Sequence, residues 1–172
     1  IGFVPEDDLL FNELTVYENL IIPARLYLGK TSNEAIEKKV NNLLSELGIE
    51  HIKHTVVGSV KDKNLLPGQR RLLNIALELL RDPPILIVDN SLTPLSQSDS
   101  SNIIEILSNY SYKGRIVFTS ITQTDLDTFA WFDKIFVLDE GGFPVYYGKS
   151  KDAWKYFSKL IGLPVRHHDK IG

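Results

Sequence analysis

Apolar positions recur along the chain with two different periods, and the changes of period mark the elements. Ile1-Gly2-Phe3-Val4 is a short apolar run that Pro5-Glu6-Asp7-Asp8 ends, which predicts a strand. Thr15 and Glu18 have capping-box spacing, and Leu20, Ile21, Ala24 and Leu28 then fall on one helical face. Thr31 and Glu34 repeat the capping spacing ahead of a second stripe, Ile36, Val40, Leu43, Leu44 and Leu47, closed by Gly48. Residues 49–64 are polar and predict mostly loop. A third helix is expected over Gln69 to Arg81, stopped by Pro83-Pro84.

Beyond that point the period shortens. Ile85-Leu86-Ile87-Val88 is an unbroken β-branched and aliphatic run ending in Asp89, the pattern of a strand buried on both faces of a parallel sheet. Asp99 to Tyr110 predicts a helix, and Arg115 to Ser120 a second buried strand. A short helix is expected over about Asp125 to Phe132, with Thr124 as its N-cap. Lys134 to Leu138 and Phe143 to Tyr147, joined by Asp139-Glu140-Gly141-Gly142, predict a hairpin. Ser150 is expected to cap a last helix carrying Trp154, Phe157 and Leu160. The order strand, helix, strand, helix, strand argues for an α/β sheet. The helix-rich stretch 15–81 forms a lobe inserted between two strands, around a sheet core of 1–5 and 84–148, with a C-terminal helix and tail over 149–172.

Composition narrows the function classes. The 172 residues are 43% hydrophobic and 24% charged, the make-up of one globular domain with a sizeable core. A net charge of −3 argues against a nucleic-acid partner. The absence of cysteine removes disulfides and thiolate metal sites. No apolar run approaches the ~20 residues of a membrane helix. The chain opens on a strand with no lead-in and contains no Met, so it is expected to be cut from something longer.

Several segments, in order, resemble the nucleotide-binding domain of ATP-binding cassette (ABC) transporters. Gly2-Phe3-Val4-Pro5-Glu6-Asp7-Asp8 with Glu13-Leu14-Thr15-Val16-Tyr17-Glu18-Asn19-Leu20 resembles the Q-loop and the helix after it. Leu65-Leu66-Pro67-Gly68-Gln69-Arg70-Arg71 stands where the L-S-G-G-Q signature belongs. Ile85-Leu86-Ile87-Val88-Asp89-Asn90 follows as Walker B, and Ile116 to Gln123 as the strand leading to the H-loop. Asn74-Ile75-Ala76-Leu77-Glu78-Leu79 and Asp139-Glu140-Gly141-Gly142 with Val145-Tyr146-Tyr147-Gly148 are similar to stretches of the G-type subfamily. The resemblance implies an α/β fold, a partial P-loop NTPase parallel sheet flanked by helices, with an inserted helical lobe. It also implies a place on the cytoplasmic side of a membrane. The partners would be a second nucleotide-binding domain and a transmembrane transporter domain.

The same resemblance assigns residues. Glu6 stands for the Q-loop Gln and, with Asp89, is the expected Mg2+ contact, since carboxylates suit hard cations. Equally, Glu6, Asp7 and Asp8 read as a solvated acidic turn. Gly68 and Gln69 are what remains of the signature. Leu66 cannot donate a hydrogen bond and Pro67 has no N–H, and the local reading is a Pro-Gly turn before a helix. Asn90 stands for the catalytic Glu and Thr122 for the H-loop His. An amide positions water but cannot take its proton, and a hydroxyl carries no positive charge. Ser96 replaces the D-loop Asp in Ser91-Leu92-Thr93-Pro94-Leu95-Ser96.

No Gly-rich phosphate loop is found. Gly29-Lys30-Thr31 lacks its first glycine, with Ala24 in that place, and Gly148-Lys149-Ser150 has Phe143 there. ATP and Mg2+ are therefore expected in an intact parent and no cofactor for this fragment. The implied function is ATP binding coupled to transport, weak or inactive in hydrolysis; the alternative is a structural or regulatory interaction module derived from such a domain. Uncovered apolar surface beside 85–88 and 116–118 would favour self-association. His51, His54 and His167-His168-Asp169 lack the ligand spacing of a metal site. The aromatics Tyr146, Tyr147, Trp154 and Phe157 read as core.

Overall fold

The computed structural model describes residues 1–62, 64–90, 92, 95–122, 126–160 and 162. Strands β1 (Gly2–Val4), β2 (Ile85–Val88) and β3 (Ile116–Thr119) form a parallel sheet in the order β1-β2-β3. The register runs Phe3 beside Ile87 beside Phe118, and Val4 beside Val88 beside Thr119. Between β1 and β2 come α1 (Val16–Tyr27), α2 (Asn33–Glu46), a 3-10 turn at Glu50–Ile52, and α3 (Pro67–Leu79). Helix α4 (Gln97–Tyr112) joins β2 to β3, the right spacing for a crossover in a parallel sheet. The chain divides into two compact units, 1–123 and 124–172. The second holds α5 (Leu126–Phe129), the antiparallel pair β4 (Lys134–Leu138) and β5 (Pro144–Lys149), and α6 (Ser150–Leu160).

The helices begin for identifiable local reasons. Thr15 and Glu18 form the expected capping box on α1, with Glu18 N donating to Thr15 Oγ1 (3.1 Å) and Thr15 N to Glu18 Oε2 (2.8 Å). On α2 the cap is Ser32 and not Thr31: Ala35 N donates to Ser32 Oγ at 3.3 Å. Gly48 follows α2 with φ of 70°, the left-handed closing residue that glycine adopts without a Cβ clash. Helix α3 starts at Pro67, earlier than the sequence predicts, because a missing N–H costs nothing in a first turn. Helix α4 likewise starts at Gln97, capped by Ser96 Oγ, which accepts from Asp99 N at 3.1 Å.

Helices α3 and α4 lie against β1 and β3 and cover one face of the sheet. Val4, Leu86 and Val88 are buried there, with Leu73, Ile75, Ile103 and Leu107 among the helix residues of this core. Gly2 is needed at β1 because a Cβ would stand 2.8 Å from Pro83 Cγ and 3.0 Å from Glu78 Oε2. Glu78 in turn accepts from Phe3 N at 3.2 Å and so fastens the strand to α3.

The opposite face corrects the sequence reading of β2 and β3 as strands buried on both sides. Phe3, Ile87 and Phe118 form an in-register row that is 51%, 37% and 59% exposed, and Ile116 is exposed as well. An unbroken apolar run gives the hydrophobicity of each residue but not which face a neighbouring element covers. This row is the surface on which the self-association expectation rests.

The hairpin β4–β5 turns where expected, through Gly141 and Gly142 with φ of 90° and 82°. Tyr146 packs against Tyr156 and Phe157, with ring centroids 5.1 Å and 5.8 Å apart. Tyr147 and Trp154 are exposed, so only half of the expected aromatic core is internal. Ser150 is the first residue of α6 and donates to Phe132 O. The expected cap Thr124, the residues Ser91, Thr93, Pro94, Gln123 and Asp125, and the His167-His168-Asp169 tail lie outside the described residues. Among the described residues no helix is long and apolar enough to cross a membrane.

Candidate nucleotide and cation site

The parallel register brings the carboxyl ends of β1, β2 and β3 to one edge, where ligands of open α/β sheets bind. Asp89 N donates to Val4 O (2.9 Å) and Ser120 N to Val88 O (3.1 Å), so the ladder continues one step past each strand. Glu6, Asp89, Asn90 and Ser120 are thereby brought to one rim.

Their side chains are joined by hydrogen bonds. Ser120 Oγ accepts from Asn90 N at 2.8 Å and donates to Asp89 Oδ1 at 2.6 Å. Asn90 has φ of 43°, an uncommon conformation for a residue with a side chain, but one that Asn tolerates. Its Nδ2 donates to Glu6 Oε1, which links sites 84 positions apart in sequence. Its Oδ1 is buried without a hydrogen-bond partner among the described residues. Glu6 and Asp89 are exposed, as is Thr122 beyond the end of β3.

Two consecutive arginines of α3 hold this rim from below. Arg71 donates from Nη1 to Pro5 O (2.6 Å) and Glu6 O (3.3 Å), and from Nη2 to Asp89 O. It is 7% exposed, and burial lowers its pKa, with the carboxylates of Asp89 and Glu6 opposing that shift. Arg70 donates from Nε to Asp8 Oδ2 (2.7 Å), from Nη1 to Gly58 O (2.7 Å) and Val57 O (3.3 Å), and from Nη2 to Asn12 Oδ1 (3.3 Å). Asp8 is therefore a structural ion-pair partner, while Glu6 and Asp7 remain exposed. Sequence reasoning named neither arginine nor Ser120 as a site residue. A Ser directly after a β-branched strand, like the Asp after β2, was the available signal for Ser120. Nothing in the pattern marks a buried guanidinium on a helix.

The start of α3 lies elsewhere and is built differently. Gln69 Oε1 accepts from Leu66 N at 2.9 Å, so the Gln side chain caps its own helix. Leu66 is exposed. Gly68 is buried, and a Cβ on it would stand 2.5 Å from Asp99 Cγ and 2.6 Å from Asp99 Oδ1. A carboxylate of the chain's own α4 thus packs on the turn where the helix dipole favours an anion.

The rim suits a hard divalent cation only in combination with further oxygens. Asp89 and Glu6 supply carboxylates, but among the described residues no group of three or more His, Cys, Asp or Glu gathers at one point. Two carboxylates plus substrate phosphate oxygens is the usual protein contribution to bound Mg2+. His51 and His54 are exposed and belong to no such group.

Comparison with known proteins agrees with this geometry. The sequence model of the family described as ABC transporter matches residues 1–93. ABC transporter G family member 26 of Arabidopsis thaliana is 37% identical over 165 residues, covering 95% of this chain and 24% of that protein. ABC transporter G family member 28 of Arabidopsis thaliana is 34% identical over 169 residues, covering 96% and 15%. The ABC-type transporter claG of Penicillium crustosum is 32% identical over 158 residues, covering 91% and 21%. The chain spans a quarter or less of the length of these relatives. A parallel sheet with ligand-type side chains on its carboxyl edge, a family match over more than half the chain and G-type relatives along nearly all of it lead to one assignment: the chain belongs to the ABC transporter family, in its G-type branch.

Proposed function

We propose that this chain is part of an ATP-binding domain that couples nucleotide binding to movement of a transmembrane partner domain, with weak hydrolysis. The family uses ATP and Mg2+. The observation that carries the reading is the hydrogen-bonded rim of Glu6, Asp89, Asn90 and Ser120 at the carboxyl ends of the sheet. Asp89 and Glu6 would contribute oxygens to Mg2+, and nucleotide phosphates the remainder. Asn90 and Thr122 stand at the hydrolytic positions without a proton acceptor or a positive charge. Gly68 and Gln69 would face a second nucleotide-binding domain across a shared ATP. Arg70 and Arg71 favour coupling, since they tie the Glu6 segment to α3 and to residues 57–58 of the helical lobe.

The test is equilibrium binding of Mg·ATP to the full-length protein that carries this chain. Binding that depends on Mg2+ and loses that dependence in Asp89→Ala is expected, with slow phosphate release. The present chain alone, without a Gly-rich loop and its Lys, should bind no ATP at sub-millimolar concentration. A full-length protein that binds no Mg·ATP would sink the reading, as would rapid turnover indifferent to Asp89→Ala.

A further inference from the structure

A groove of about 400 Å³ opens between α2 of the helical lobe and α4 of the sheet core, with the end of α3 beneath it. Ile106, Tyr110 and Lys113 line it from α4, at steps of four and three positions that share one helical face. Asp82, which also lines it, precedes β2, and Lys113 precedes β3. The groove therefore lies toward the amino ends of the sheet, away from the rim of Glu6 and Asp89. Helix α2 packs on α1, and α4 on α3 and β3, so neither fills the space between them. The ion pair of Glu46 with Lys113 bridges the C-terminal ends of the two helices and closes one end. From Glu46 back to Ala35, the far lining residue on α2, is roughly 16 Å of helix.

The chemistry of the lining is divided. Leu43, Leu47, Leu79 and Ile106 make an apolar floor, the first two buried and the others half-buried. The two carboxylates of the groove already have cations, Lys113 on Glu46 and Arg115 on Asp82. Glu37, beside Lys38 in sequence, is turned to Arg25. Lys38 and Lys39 line the groove with no ion-pair partner among the described residues. Lysine stems lie along apolar surface and keep their ammonium heads in water. Two uncompensated cations beside an apolar floor complement a molecule with one anionic head and an aliphatic tail. The volume is that of a small-ligand site, and a groove closed at one end accepts a chain end rather than a helix that runs through it.

We propose that this groove binds a medium-chain aliphatic carboxylate, its head on Lys38 and Lys39 and its chain along Leu43, Leu47, Leu79 and Ile106. The site uses no residue of the rim and does not rest on the ATP-binding reading. A ligand there touches α2 and α4 together, so it adds to the Glu46–Lys113 bridge in tying the helical lobe to the sheet core.

The experiment is calorimetric titration of the 172-residue chain with decanoate below its micelle concentration. One saturable site is expected. Octanoate, two methylenes shorter, should bind ~10-fold more weakly. The alcohol 1-decanol keeps the chain and lacks the charge, and should also bind ~10-fold more weakly, the worth of two partly exposed ion pairs. The double variant Lys38→Gln, Lys39→Gln should lose the same ~10-fold for decanoate and nothing for decanol. Ala35→Trp, at an exposed position on the lip, should block both ligands. Phe118→Ser, in the exposed row on the other face of the sheet, should bind decanoate like the unaltered chain. No saturable binding of decanoate would overturn the proposal, as would undiminished binding in the lysine variant or loss of binding in Phe118→Ser. Capture of an acidic amphipathic peptide on Lys38 and Lys39 by a chain that takes no decanoate would make the groove a protein-docking surface and overturn it too.

Discussion

Strand β2 is bracketed by two non-glycine residues in the left-handed region, Asp82 before it (φ 47°) and Asn90 after it (φ 43°). The backbone device is the same, but the side chains are used in opposite ways. Asp82 receives Arg115 Nε at 3.1 Å, Arg115 Nη2, and the Tyr110 hydroxyl at 3.2 Å, and Tyr110 also donates to Pro83 O at 2.7 Å. Arg115, the largest cause, holds the Asp82 carboxyl below its ordinary pKa. At Asn90 the amide donates to one carboxylate and its oxygen is buried and unpaired among the described residues. A buried unpaired acceptor costs stability, and a stable network would have filled it. The amino end of β2 is arranged for stability, and the carboxyl end carries an unmet polar group on the rim where a ligand would bind. Strained, half-satisfied positions concentrate at such places.

The largest effect expected from breaking the carboxyl end comes from Arg71. Its guanidinium serves the carbonyls of Pro5, Glu6 and Asp89. Arg71→Ala should destabilise the chain by about 3 kcal/mol or more, from unsatisfied carbonyls and a cavity. Arg71→Lys should recover only part, since a point ammonium does not reproduce the planar fork. Denaturant unfolding measures both. A cost below about 1 kcal/mol for Arg71→Ala, the worth of an ordinary surface contact, would mean that the rim stands without its arginine.

This contrast also marks how far the sequence could be read. The strand at Ile85–Val88, the capping box at Thr15 and Glu18, and the glycine turn at 141–142 follow from local period and local chemistry, and the structure has them. The positions of Asp89 and Asn90 at a strand's carboxyl end were legible for the same reason. The bond from Asn90 to Glu6 was not, because it joins two strands whose pairing only the folded sheet decides. Nor was the burial of Arg70 and Arg71, which sit beside Gln69 at the start of an amphipathic helix, where local period does not tell a buried guanidinium from an exposed one. Leu66-Pro67-Gly68 was legible as a loss of donors. That Asp99 fills the turn beside Gly68 required the packing of α3 on α4.

A smaller effect sharpens the comparison directly. Glycine relieves a left-handed backbone, so Asp82→Gly and Asn90→Gly should gain similar backbone terms of about 1 kcal/mol. Asp82→Gly also loses the Arg115 pair and the Tyr110 bond; the pair is half-exposed and worth little, but the Tyr110 hydroxyl is buried with it. Asn90→Gly loses one exposed bond to Glu6 and removes the unpaired oxygen. Asn90→Gly should therefore be as stable as the unaltered chain or more so, and more stable than Asp82→Gly by roughly 1 kcal/mol. Equal unfolding midpoints for the two variants would erase the distinction drawn between the two ends.

The smallest effect is a pH dependence confined to the amino end. Tyr110 is 7% exposed, and its pKa is raised from 10.0 to about 12, first by burial, then by the Asp82 carboxylate and the hydrogen bond to it. A phenol whose folded pKa is raised binds its proton more tightly in the folded state than in the unfolded one. Its contribution is complete below pH 10, where both states are protonated, and is lost as pH rises through about 12. The partners do not confuse the window, because the Asp82 pKa is lowered and that of Arg115 is raised, so both stay charged throughout. Lysines 38, 39 and 113 line the adjoining groove and are common to both chains, so they drop out of the comparison. Tyr110→Phe should be less stable than the unaltered chain by about 1 kcal/mol at neutral pH, the worth of its hydrogen bonds. That gap should persist to pH 10 and close between 10 and 12, because only the unaltered chain must then deprotonate a buried phenol or unfold to do so. Unfolding midpoints for the pair across this range measure the gap. A gap that stays constant to pH 12 would show that the hydroxyl is not held between Asp82 and Pro83, and that the amino end is no better satisfied than the carboxyl end.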